Sequence, residues 1–283
     1  MVCIIYDCQN ESFDDDELCN AHLTLWKLNP ANLQASIKIK SRNNYTNLIC
    51  LPKSCQEFLK IQNKFLSDWV KKNATDVRVE AIYNIYLSPN IYQKYKSYRD
   101  SIESNHSFSS KGLSPGNEKL LYHGTDHDCC TMFNDNTTSL LCKMDECAGC
   151  GILINSFDIK RVGLNKQGRT PQRLGQGIYF TPYSSKAHFY GHRCARPLPN
   201  DQKRKTRIMF LSKVVIGNTW QPDKVSHDLT KPPSGYNSTW GRQGYCPLNN
   251  SLSPLVFEEY AVYCNEACIP FKYIVYSYLT TTE

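Results

Sequence analysis

The stretch GQGIYFTPYSSKAHFY, residues 175–190, sets two glycines against three tyrosines and two phenylalanines. Gly175-Gln-Gly177 runs into Ile178-Tyr179-Phe180, a β-branched and aromatic run, so the glycines precede a strand and do not open a helix. A dinucleotide fingerprint needs a third glycine, an acidic follow-up and a helix beginning on the glycines, and the stretch lacks them. A parallel, doubly wound sheet therefore loses the segment that would announce it. Glycine permits close approach to main chain and tyrosine offers a flat face with a polar tip, so the stretch predicts a flat ligand held against backbone.

Working outward, GIYFT, RIMFLSKVVIGN, LVFEEYAVY and YIVYSYL read as short strands separated by turn residues. Strands and helices do not alternate regularly, and no repeat of 20–50 residues appears. The fold class that follows is α+β with a mainly antiparallel sheet. Upstream, SCQEFLKIQNKFLSDWVKKN (54–73) places Phe58, Ile61, Phe65 and Trp69 on one helical face, with Ser54 and Glu57 as a capping box. DVRVEAIYNIYL (76–87) predicts a strand, and Ser88-Pro89 opens a second helix with a core stripe of Ile91, Tyr95, Tyr98 and Ile102. SNHSFSSKGLSPGN (104–117) predicts a loop. The organisation expected is a small segment at 1–23, a helix–strand–helix lead-in at 24–113, and a principal domain at 114–283.

The chain has 283 residues, 41% of them apolar, enough for a substantial core. Net charge is +7 with both signs mixed, a mild bias that demands no polyanionic partner. The run KRKTR (203–207) reads as an exposed loop that keeps the surface soluble. No basic-then-apolar leader and no membrane-length window is visible, so a reducing intracellular compartment, cytoplasmic or nuclear, is expected. Fourteen cysteines need an account in that setting. Cys129, Cys142, Cys147 and Cys150 fall in a polar insertion at 129–150 with spacing that suits a tetrahedral zinc site. Cys3, Cys8, Cys19 and His22 offer a second possible ligand set, for which a metal site and a tail with incidental cysteines both stand. The other seven cysteines have no mutual spacing logic and read as packing or surface residues.

Two glutamates, Glu258 and Glu259, resemble a glycosidase pair, but strand neighbours point to opposite faces, so only one faces a cleft. His123, beside Gly124, ends the run KLLYHGT. Taken in order, YHGT, GIYF, SSKAHFY, VVIGNT, EEYAVY and IPFKYIVYSY resemble the catalytic domain of the poly(ADP-ribose) polymerase family, the diphtheria-toxin-like ADP-ribosyltransferases. The cysteine segment and LTKPPSGYNSTWG (229–241) resemble a fungal and plant branch with a cysteine-rich insertion.

The resemblance implies an enzyme that binds NAD+ in a split between two small sheets, breaks the nicotinamide–ribose bond and transfers ADP-ribose to an acceptor. It implies a His-Tyr-Glu triad: His123 in YHGT, Tyr179 in GIYF, and Glu259 before Tyr260 in EEYAVY. It further implies NAD+ contacts from Gly124, Thr125, Gly177, Ser185 and Tyr190, with Tyr179 and Tyr190 sandwiching the nicotinamide ring. Where the family often has a serine after SK, this chain has Ala187. Ser184 or Ser185 substitutes for it, or the Gly124 backbone suffices. The expected partners are NAD+ and a protein or nucleic-acid acceptor, with no membrane, and the expected state is a monomer. Single transfer is expected over chain elongation. The alternatives are a catalytically weak protein that binds NAD+ or ADP-ribose, and a zinc-dependent nucleic-acid-binding module.

Overall fold

In the computed structural model, Cys268–Leu279 (β11) is buried along almost its whole length. Both its faces are covered, which is why CIPFKYIVYSYL reads as a continuous apolar run and does not alternate. The structure describes residues 36–40, 45–71, 74–126, 147–162, 173–191, 196–198, 201–222, 225, 227–244 and 255–280. Thr75–Tyr86 (β3) and Asp201–Val215 (β7) flank β11 antiparallel, setting Tyr273 level with Tyr83 on one side and Phe210 on the other.

The large sheet takes the order β1 (Ser36–Lys40), β2 (Tyr45–Cys50), β3, β11, β7, β4 (Glu118–His123), with β6 (Arg196–Leu198) also paired to β7. A second sheet takes the order β5 (Ile178–Phe180), β10 (Glu259–Val262), β9 (Ser238–Gly241), β8 (Thr219–Trp220). Every pairing is antiparallel except the short β8–β9 contact, as the α+β expectation requires. The sheets meet where Tyr122 and Thr181 exchange backbone hydrogen bonds of 2.8 and 3.1 Å.

Helix α1 (Gln56–Ser67) buries Phe58, Ile61 and Phe65 against the face of the large sheet that carries Met209, Leu211, Ile274 and Tyr276. It is shorter than the predicted 54–73. Its cap is Cys55, whose sulfur accepts from the Phe58 N–H at 3.3 Å, and not Ser54. Asp68 ends it, and Trp69 therefore lies beyond the helix, packed on Phe65, His188 and Tyr276. Helix α2 (Pro89–His106) starts at Ser88-Pro89 as predicted and buries Tyr95 and Ile102 on the opposite core, which also holds Phe157, Phe180, Phe210, Tyr260 and Tyr273. Two short 3-10 turns, Ser109–Lys111 and Pro115–Asn117, stand within the predicted loop.

The run KRKTR is not a loop. It lies in β7, where strand alternation exposes Lys203 and Lys205 and buries Arg204, which bonds the Asp76 carboxylate and carbonyl and the Ser277 hydroxyl. Two shorter helices follow, α3 (Ala148–Asn155), which touches β1 and β2, and α4 (Ser184–Ala187), which touches β4. Among the described residues no helix is long and apolar enough to cross a membrane.

Candidate active site

The end of β4 brings His123 to the seam between the sheets, and the β5–β10 register does the rest. Tyr179 pairs with Ala261, two residues after Glu259, so Tyr179 and Glu259 share a face of the small sheet as diagonal neighbours. Glu258 points to the other face, where its carboxylate accepts from the Trp240 indole N–H at 2.9 Å and from the Tyr260 hydroxyl. As strand alternation requires, only one of the two glutamates, Glu259, shares the Tyr179 face. A cleft of about 350 Å³ is lined by His123 and Gly124, by Tyr179, Phe180 and Thr181 of β5 and its end, by Lys186, Ala187 and Tyr190, and by Glu259.

Each side chain in the cleft is fixed. The His123 ring sits between Phe157 and Phe180, at centroid distances of 5.1 and 5.5 Å. Its Nδ1 lies 2.9 Å from the Tyr179 carbonyl oxygen, which can only accept, so Nδ1 carries the proton. Burial pushes the imidazole below its ordinary range, against the opposing pull of that carbonyl, so the ring is neutral near pH 7 and Nε2 is left as an acceptor. The Tyr179 hydroxyl donates to the Gly175 carbonyl at 2.8 Å and accepts from the Leu174 N–H at 3.0 Å, which locks the ring.

Glu259 is 8% exposed, and its Oε1 pairs with Lys186 Nζ at 2.8 Å. Burial alone would lower the Lys186 ammonium, but the Tyr190 phenol and the Glu259 carboxylate more than offset it and hold it above the usual lysine value. The same ammonium stands 5.1 Å from the Tyr190 ring centroid, and the Tyr190 hydroxyl reaches to 3.5 Å from Glu259 Oε1. The sequence carries no signal for Lys186 beyond its place in SSKAHFY.

The glycines answer the opening stretch differently from the prediction. Gly175, at φ +93, turns the chain so that its carbonyl meets the Tyr179 hydroxyl, and a Cβ there would lie 2.3 Å from the Leu229 carbonyl oxygen. At Gly177 a Cβ would press on Ala261 and Val262 of β10 and on Tyr263. Both serve protein packing, and neither lines the cleft. A Cβ on Gly124 would lie 1.8 Å from the Ala187 carbonyl oxygen, so the main chain of α4 fills the space a side chain would need.

Two predicted contacts lie elsewhere. The Ser185 hydroxyl accepts from the Lys71 N–H at 3.2 Å and the Ser184 hydroxyl donates to the Phe65 carbonyl at 2.7 Å, so neither serine replaces the one missing at Ala187. Phe65 of α1 and Lys71 just beyond the helix take them because that stretch lies directly behind α4. Thr125 does not line the cleft either, and its carbonyl abuts Gly191.

Of the predicted metal ligands, Cys147 and Cys150 are described, both buried at the start of α3 in a spacing that puts them on one side of a helical turn. Cys129, Cys142, Cys3, Cys8, Cys19 and His22 lie outside the described residues. Among the described residues no group of three or more possible metal ligands occurs.

A carboxylate positioned by an ammonium beside two phenols, with a neutral imidazole opposite, can stabilise positive charge developing on a bound sugar through the carboxylate. The family model of the poly(ADP-ribose) polymerase catalytic domain matches residues 55–278. A comparison with curated proteins finds no match. The chain belongs to the poly(ADP-ribose) polymerase family and is an NAD+-dependent ADP-ribosyltransferase.

Proposed function

We propose that this ADP-ribosyltransferase acts through His123, Tyr179 and Glu259 and transfers single ADP-ribose units to an acceptor. The observation that carries the reading is the convergence of these three residues, from two sheets and three strands, on one cleft. His123 Nε2 accepts from a hydroxyl of the adenosine ribose, since Nδ1 is spent on the Tyr179 carbonyl. The locked Tyr179 ring and Tyr190 flank the nicotinamide. As the bond from C1′ of the ribose to nicotinamide breaks, its electron pair leaves on the nicotinamide and the sugar gains oxocarbenium character. The Glu259 carboxylate, hydrogen-bonded to the 2′-hydroxyl, stabilises that charge, and Lys186 holds the carboxylate in place until substrate arrives. With no serine hydroxyl at position 187, the nicotinamide amide relies on the backbone of Gly124.

On the same reading the insertion is organised by zinc: Cys147 and Cys150 would supply two thiolates and Cys129 and Cys142 the others, a purely structural contribution. The test of the main proposal is Glu259→Gln. Loss of one preorganised group of this kind costs ~10²–10³ in rate, so the variant should bind NAD+ by calorimetry as the parent does while its nicotinamide release nearly disappears. Equal rates for the two proteins would refute the assignment.

A further inference from the structure

The face of β10 turned away from Glu259 holds a second constellation, at the edge of the core and joined to the cleft through Thr181. Glu258 precedes β10 by one residue and is half-buried. Its partners among the described residues are the Trp240 indole and the Tyr260 hydroxyl, both neutral, so the carboxylate is held rigidly without a counter-charge from either. Trp240 and Tyr260 stack, with centroids 6.3 Å apart and planes inclined by 11°. Beside them Tyr183 and Phe257 pack at 5.6 Å, and Trp240, Tyr183 and Phe257 all keep part of their rings exposed. Thr181 ties this cluster to the cleft it lines: its hydroxyl donates to the Glu258 carbonyl at 2.8 Å and accepts from the Tyr183 N–H at 3.3 Å.

A fixed carboxylate rimmed by aromatic faces is suited to one chemistry, recognition of a cation. We infer that Glu258, with Tyr183, Phe257 and Trp240, selects acceptors that carry an arginine or lysine side chain beside the group to be modified. The inference rests on the proposed function, because it names the acceptor class of that same site. Glu258 is a specificity residue: it sits across the strand from Glu259 and does not touch the reacting atoms. In the transfer the acceptor nucleophile bonds C1′, gives up its proton to solvent water, and displaces nicotinamide, which leaves with the C1′–N electron pair. The recognised cation is a neighbouring side chain and is unchanged.

The test uses the full chain, labelled NAD+ and two peptides of one sequence containing Ser, Glu and Cys, one with arginines and the other with citrullines at the same positions. The parent should modify the arginine peptide about tenfold faster, as one desolvated charge contact implies. Glu258→Gln should bring the ratio of the two rates close to one. Tyr183→Leu, which leaves the Trp240–Glu258–Tyr260 bonds alone, should lower the ratio in the same direction and decides the matter if Glu258→Gln modifies neither peptide. Equal rates in the parent, or a ratio unmoved by Tyr183→Leu and Glu258→Gln, would overturn the inference. Nicotinamide release without modification of either peptide would also overturn it while leaving the proposed function standing. Absence of any nicotinamide release would overturn both.

Discussion

Gly124→Ala asks whether the cleft depends on the contact between β4's end and α4. The new methyl carbon would lie 1.8 Å from the Ala187 carbonyl oxygen and 2.7 Å from its carbonyl carbon. Carbon contacts settle at about 3.5 Å, so the two segments have to separate by roughly 1.5 Å. The obstruction is main chain, and no rotamer relieves it. The segment displaced carries Lys186, whose ammonium is 2.8 Å from Glu259, and leads into Tyr190, whose hydroxyl reaches toward the same carboxylate. A shift of about 1 Å in a catalytic group costs on the order of 10²-fold, so kcat/KM for nicotinamide release should fall by that factor. Overpacking adds about 1–3 kcal/mol of destabilisation, or several degrees in Tm. Gly112→Ala is the control: its Cβ meets nothing within 4 Å, so it bears only the strain of φ +75 and should keep its activity. Adding Ala187→Gly to Gly124→Ala should not restore the rate, because the Ala187 carbonyl remains. A Gly124→Ala protein with parental kcat/KM and Tm would refute the reasoning.

Three further outcomes follow from the site. Lys186→Met keeps most of the stem near Tyr190 but removes the ion pair to Glu259, and should lower kcat/KM about tenfold to a hundredfold; an unchanged rate would mean the pair does not position the carboxylate. Burial holds His123 below the ordinary imidazole value of about 6.5, so above that pH it is neutral whether folded or unfolded. Below it the unfolded chain takes the proton first, so its contribution to stability is lost as pH falls toward the folded value, and the acid limb it sets on kcat/KM lies below about 6.5. Titration of the His123 ring by NMR checks this, an upward shift being the contrary result. If zinc organises the insertion, Cys147→Ser with Cys150→Ser should lose the bound metal and melt lower, read by elemental analysis and thermal denaturation, whereas equal metal content would remove that assignment.

What the sequence disclosed were features governed by local period and order. The alternation around EEYAVY placed Glu258 and Glu259 on opposite faces because a strand turns successive side chains apart, a rule that holds wherever the strand ends up, while the choice of Glu259 came from the family resemblance. The apolar positions of α1 and α2 located their buried faces for the same reason. What stayed hidden depends on which distant segment arrives behind a residue. Ser184 and Ser185 look like ligand donors until Phe65 of α1 and Lys71 beyond it engage the two hydroxyls. Gly177 looks like a place for substrate until Tyr263 occupies it. Lys186 looks solvated until Glu259, 73 positions along the chain, meets it. Cys55 displaced Ser54 as cap because the helix begins later, a matter of one hydrogen bond that composition does not register.

The seam where Tyr122 meets Thr181 makes the cleft a jaw whose two halves are separate sheets, with His123 on one and Tyr179 and Glu259 on the other. Its clasp is made of amide and carbonyl groups, which every residue but proline supplies. Substitution can therefore reshape the teeth of this jaw extensively while its gape stays constant, leaving evolution free to retune what enters without rebuilding the hinge.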